Sequence, residues 1–132
     1  MNFLYESESG TRLEGPSISN LNELLSLLDG KRNSYAYLTR SDGSYVQVGG
    51  GPTDFTVEER EIFPDGSFRH KKATLPGNDK KECRLTIGGM SVSVRADQLL
   101  NLALVQQIFH TFRHGIKTSD SLLWEDMTAM FQ

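Results

Sequence analysis

With a single cysteine, Cys83, in 132 residues, the chain cannot close an internal disulfide, which excludes a stapled framework and points to a reducing compartment, the cytoplasm. No apolar run is long enough to cross a bilayer, and the opening Met1-Asn2-Phe3-Leu4-Tyr5-Glu6 lacks the basic and apolar regions of a signal peptide. A membrane partner is therefore not expected. Nor is there a one-signed basic stripe, so a nucleic-acid partner is not expected either. The polar excess of a disordered chain is missing too: hydrophobic residues make up 37% and charged residues 23%, which suits one folded domain over 1–132.

Charge is present but unevenly placed. Residues 1–66 hold eleven acids and five bases, a balance of −6, and residues 67–132 hold six acids and nine bases, a balance of +3, giving the net −3. An acidic first half suits a basic partner, because complementary charge speeds encounter and sets register.

Three tight-turn signals organise the chain: Ser41-Asp42-Gly43-Ser44, Pro64-Asp65-Gly66-Ser67 and Gly88-Gly89. Residues 2–6 read as a first strand with Phe3 and Tyr5 on one face, and 7–17 as a loop. Ser19-Asn20 would cap a short helix carrying Leu21, Leu24, Leu25 and Leu28 at helical spacing, with Gly30 as its stop. From residue 34 the period is two. A two-residue Asp42-Gly43 turn pairs Tyr37 with Val48 and Thr39 with Val46, and Gly49-Gly50-Gly51-Pro52 ends that strand. The same turn around Asp65-Gly66 sets Phe63 against Phe68, Glu61 against His70 and Glu59 against Lys72. This 55–74 hairpin is polar on both faces, which suggests an edge or a protruding element.

Around Gly88-Gly89, Cys83, Leu85 and Ile87 oppose Val94, Val92 and Met90, forming an apolar side that calls for burial. Asp97 would cap a helix running to His114, with Leu100, Leu104, Val105, Ile108, Phe109 and Phe112 inward and Gly115 as its stop. The hairpin and this helix are the expected core. Ser121 to Met127 suggests a short last helix whose Trp124 and Phe131 pack on the body. The sum is an α+β fold: a single, mostly antiparallel β-meander of about six to seven strands, two main helices on one face and a short C-terminal helix.

No stretch carries a spacing that chemistry requires. His110 and His114 stand four apart on one helix, but Thr-Phe-Arg lies between them and no third ligand is near, so neither a metal nor another cofactor is expected. Cys83 on an apolar face reads as a small core residue rather than a nucleophile. The Gly49–Gly51 run precedes Pro52 and an acidic strand, not a helix bearing Lys and Ser or Thr, so it reads as a strand end. Glu58, Glu59 and Glu61 have Arg60 and Lys72 close by and read as a solvated face. These exclusions point away from an enzyme.

Three features together carry a resemblance: the meander with a Gly-rich centre, the Gly-Gly hairpin leading through Val92-Ser93-Val94-Arg95-Ala96-Asp97 into a long helix, and the ending Phe112-Arg113-His114-Gly115…Leu122-Leu123-Trp124-Glu125-Asp126. The chain resembles the small immunity proteins of bacterial polymorphic toxin systems, in particular the family often paired with deaminase or nuclease toxins. The resemblance covers most of residues 20–131. It implies a non-enzymatic protein of interbacterial competition that binds one cognate toxin domain and blocks its active site or substrate groove.

No binding residues carry over by motif. The charge pattern alone nominates Asp42, Asp54, Glu58, Glu59, Glu61 and Asp65 as toxin contacts, with Tyr45 as an aromatic anchor. A monomer or weak homodimer is expected. Two alternatives stay open: a small-molecule-binding or catalytic α+β domain, and a structural subunit that dimerises through a sheet edge.

Overall fold

The computed structural model describes residues 2–115 and 122–132. In chain order the elements are β1 (Phe3–Ser7), β2 (Arg12–Glu14), α1 (Ile18–Leu25), β3 (Tyr35–Arg40), β4 (Tyr45–Gly50), β5 (Phe55–Ile62), β6 (Phe68–Thr74), β7 (Glu82–Ile87), β8 (Met90–Arg95), α2 (Leu102–His114) and β9 (Leu123–Asp126). Short 3-10 turns cover Ala96–Gln98 and Thr128–Phe131. Seven strands form one antiparallel sheet in the order β2-β1-β3-β4-β5-β6-β9, while β7 and β8 form a separate ribbon. The α+β class is as the sequence leads one to expect. No described helix is long and apolar enough to cross a membrane.

Strand alternation sends Phe3, Tyr5, Ala36, Leu38, Val46, Val48, Phe55, Val57 and Ala73 to one face. There they meet Leu21, Leu25 and Leu28 from α1 and its exit, and Val105, Ile108, Phe109 and Phe112 from α2. Leu21 and Leu25 stand one helical turn apart, so one stripe of α1 is buried.

The registers of two hairpins differ from the expected ones by one residue, for a single reason. The β3–β4 turn has three loop residues, not two: the Arg40 N–H donates to the Ser44 carbonyl at 2.7 Å and the Gly43 N–H to the Arg40 carbonyl at 2.9 Å. The β5–β6 turn closes in the same way between Phe63 and Ser67, at 2.9 Å. In both, an aspartate one residue before the glycine accepts the backbone N–H of the following serine at 2.9 Å, and the glycine takes a positive φ (94° at Gly43, 87° at Gly66). The shift pairs Leu38 with Val46 and Ala36 with Val48, and moves Tyr35, Tyr37 and Thr39 to the opposite face. It likewise pairs Glu59 with Lys71, Glu61 with Arg69 and Arg60 with His70.

Other boundaries move because side chains cap elsewhere. Ser17, not Ser19-Asn20, caps α1: its hydroxyl accepts from Asn20 N–H at 3.0 Å, and Asn20 Oδ1 accepts from Ser17 N–H at 3.0 Å. The helix ends at Leu25, well before Gly30. Residues 7–17 include the strand β2, paired with β1. The second long helix is capped by Asn101, whose Oδ1 accepts from Leu104 N–H at 2.9 Å. Asp97 sits earlier, in a 3-10 turn, because Leu100 stays extended to pair with Phe55 through bonds of 2.7 and 2.9 Å. Gly115 does end α2, in the left-handed conformation.

The 55–74 hairpin is interior rather than an edge, since β4 pairs on one side and β9 on the other. Its charges are tolerated because they face opposite charges across the ladder. The β7–β8 ribbon keeps the expected register but lies outside the main core: Met90 is 70% exposed, Leu85 and Val94 are buried, and Cys83 is half-buried rather than a core residue. The C-terminal helix is one 3-10 turn, and Trp124 stands before it on β9; Ser121, placed in that helix from sequence, lies outside the described residues.

Candidate functional site

The sheet face turned away from the helices carries the unusual chemistry. One cross-strand row reads Glu6, Tyr37, Gln47, Glu58, Lys72, Glu125. Its neighbour reads Thr39, Tyr45, Arg60, His70. Rings meet edge-on along this face: Tyr35 and Tyr37 at 5.9 Å, Tyr37 and Tyr45 at 6.0 Å. The Tyr37 hydroxyl has its pKa raised, first by burial and then by Tyr45, Tyr35 and the Glu58 carboxylate.

A hydrogen-bonded relay fixes the centre. Arg60 Nε–H donates to His70 Nδ1 at 3.1 Å, so the imidazole proton sits on Nε2, which donates to Glu58 Oε1 at 2.7 Å. The Arg60 guanidinium is stacked between Phe68 at 4.1 Å and Phe131 at 4.8 Å, and Phe131 also covers His70. His70 is buried, and Thr128 Oγ1 accepts its backbone N–H at 3.0 Å, which ties the C-terminal turn to β6.

The β7–β8 ribbon covers the other side of this face. Ser34 Oγ donates to Glu8 Oε1 at 2.6 Å and accepts from Gly88 N–H at 2.8 Å, anchoring the ribbon tip beside β3. Ile87 lies over Gly49, where an added Cβ would come within 2.5 Å of its Cδ1, so the glycine is what lets the ribbon seat. Between tip and sheet runs a groove of about 220 Å³ lined by Tyr35, Tyr37, Gln47, Thr56, Glu58 and Ile87. A wider depression of about 640 Å³ beside β1 and β2 holds Glu6, Glu14, Arg40 and Arg113. Its cations are engaged: Arg40 pairs with Asp42 at 2.9 Å, and Arg113 donates to the Pro16 carbonyl at 3.0 Å.

The seven residues nominated from sequence do not form one patch. Tyr45 and Glu58 lie on this open face. Glu59 and Glu61 alternate to the helix side, where burial raises the Glu59 pKa against the pull of Lys71. Asp42 and Asp65 sit in the two turns at one end of the sheet, and Asp54 is exposed in the β4–β5 loop at the other. The Asp42 carboxyl is held down to about 2, chiefly by Arg40. The charge pattern passes over Tyr35, Tyr37, Gln47, Thr56 and Phe131, which also line this face. For Tyr35 and Tyr37 the signal is the period-two run at 35–39, whose face is legible only once the turn length is known.

His110 Nε2 and Asn22 Oδ1 lie 2.7 Å apart, joining α2 to α1, while His114 is exposed. Among the described residues, no three His, Cys, Asp or Glu side chains converge as a metal site. Compared with known proteins, the chain matches no family model and no curated protein.

Proposed function

We propose that this chain is an immunity protein, which binds one toxin domain with deaminase or nuclease chemistry and occludes its active site or substrate groove in the cytoplasm. The carrying observation is the tyrosine-lined open face, with Tyr37 at 37% and Phe131 at 47% exposure. Tyrosine is among the residues that dominate interface hot spots, because it buries a large area at little entropic cost. The fixed Glu58 carboxylate beside them supplies charge complementary to a basic toxin surface. The acids Asp42 and Asp65 at one end of the sheet extend that complementarity, and the sequence resemblance supports the same reading.

The test takes the C-terminal domain of the protein encoded directly upstream in the genome of origin. That domain should arrest growth when expressed, and this chain should relieve the arrest and co-elute with it as a stable complex. Tyr37→Ala with Tyr45→Ala should weaken the complex by about 30-fold or more, a hot-spot loss of roughly 2 kcal/mol. Failure of the chain to relieve the arrest would overturn the reading, and unchanged affinity in the folded double variant would remove this face from it.

A further inference from the structure

We infer that the groove between the β7–β8 tip and the open sheet face is a receptor for one arginine side chain of the protein partner. This rests on the reading that the face binds protein, not on that partner being a toxin. Size comes first: about 220 Å³ lies below the range of cofactor and metabolite pockets and suits a single long side chain. Charge comes second: among the described residues, Glu58 is the only charged one lining the groove, and exposed Glu6 stands three positions along the same row, beyond Gln47 and Tyr37.

Donor matching comes third. Glu58 Oε1 is taken by His70, and Oε2 has no hydrogen-bond partner among the described residues. Thr56 lines the groove, and its buried hydroxyl has no hydrogen-bond partner among the described residues, an unusual cost that a donor reaching it from the groove would offset. Gln47 adds a third acceptor. A guanidinium presents five N–H donors in one plane, whereas an ammonium is a compact, strongly hydrated point charge. The Tyr35 and Tyr37 rings supply faces for that plane, as Phe68 and Phe131 already do for Arg60 nearby. The Arg60–His70–Glu58 relay positions the carboxylate in advance, so little ordering remains to be done on binding.

The probe is N-acetyl-L-arginine methylamide, titrated into the full chain while the Thr56 and Gly88 amide resonances are followed. Saturable shifts at both are expected in the millimolar range, with the lysine analogue weaker and the neutral citrulline analogue inactive. Glu58→Gln should weaken binding at least about fivefold, the loss of one charge-assisted hydrogen bond. Thr56→Val, which keeps the side-chain shape and removes the unpaired hydroxyl, should weaken it severalfold while the melting temperature holds or rises. Absence of saturable shifts, equal binding of citrulline or lysine, or parental affinity in both variants would overturn the inference. A normal toxin complex with no arginine binding would remove only this inference. Arginine binding without any toxin complex would instead remove the toxin partner.

Discussion

Asp42 shows how one side chain sets a register. Its carboxylate accepts the Ser44 N–H and, at 2.9 to 3.1 Å, the Arg40 guanidinium, closing the turn with three loop residues instead of two. Those bonds hold its folded-state pKa near 2, below the usual carboxylate value. The stabilisation is therefore present above the unfolded pKa of roughly 4 and is lost as pH falls through the folded value. Asp42→Asn keeps the acceptor for Ser44 but loses the charge. Thermal melts from pH 6 down to pH 2 should show the parent losing part of its advantage over this variant between about pH 4 and pH 2. A constant difference across that range would mean that the Arg40 pair adds nothing, a common outcome for exposed pairs.

At the scale of elements, the ribbon and α2 contribute differently. Phe109 is fully buried among sheet and helix side chains, so Phe109→Ala should cost about 3–5 kcal/mol in urea denaturation. Met90 at the ribbon tip is exposed, and Met90→Ala should stay within about 0.5 kcal/mol. Similar costs for the two would restore the ribbon to the main core. The Ser34 hydroxyl bridges Glu8 and Gly88, so Ser34→Ala should cost about 1–2 kcal/mol and speed amide exchange at Gly88. If Gly88 exchanges as in the parent, the ribbon is held by Ile87 and Leu85 packing alone. A second tie, the bidentate Arg95–Glu125 pair at 2.7 and 3.4 Å, links β8 to β9 and lowers the Glu125 pKa.

Over the whole molecule, charge is spent largely on the fold's own ladder. Glu58, Glu59 and Glu61 stand opposite Lys72, Lys71 and Arg69. Converting all three to lysine therefore places like charges in three directly opposed pairs, each destabilising by about 0.2–1 kcal/mol. The triple variant should melt below the parent by several degrees, with the loss shrinking at high salt. An unchanged melt would mean that these acids are free for a partner. For this reason the binding face is better probed at Tyr37 and Tyr45 than by charge reversal.

Much of the fold was legible in the sequence. Period-two runs, turn residues and leucine spacing determined an antiparallel sheet with two helices, the Gly88-Gly89 register and the stop at Gly115, because each depends on residues close along the chain. The candidate site was legible only in part, through Tyr45 and Glu58. Register was lost at the two Asp-Gly turns, since Asp-Gly fits both two- and three-residue loops and only the Asp-to-Ser hydrogen bond separates them. That single step decided which face holds Tyr35 and Tyr37. What tertiary structure alone decided was the company of Glu58: His70 and Arg60 from paired strands, Phe131 from the distant C-terminal turn, and a ribbon seated on Gly49. These contacts join segments up to some seventy residues apart, and no local preference of the chain encodes which of them meet.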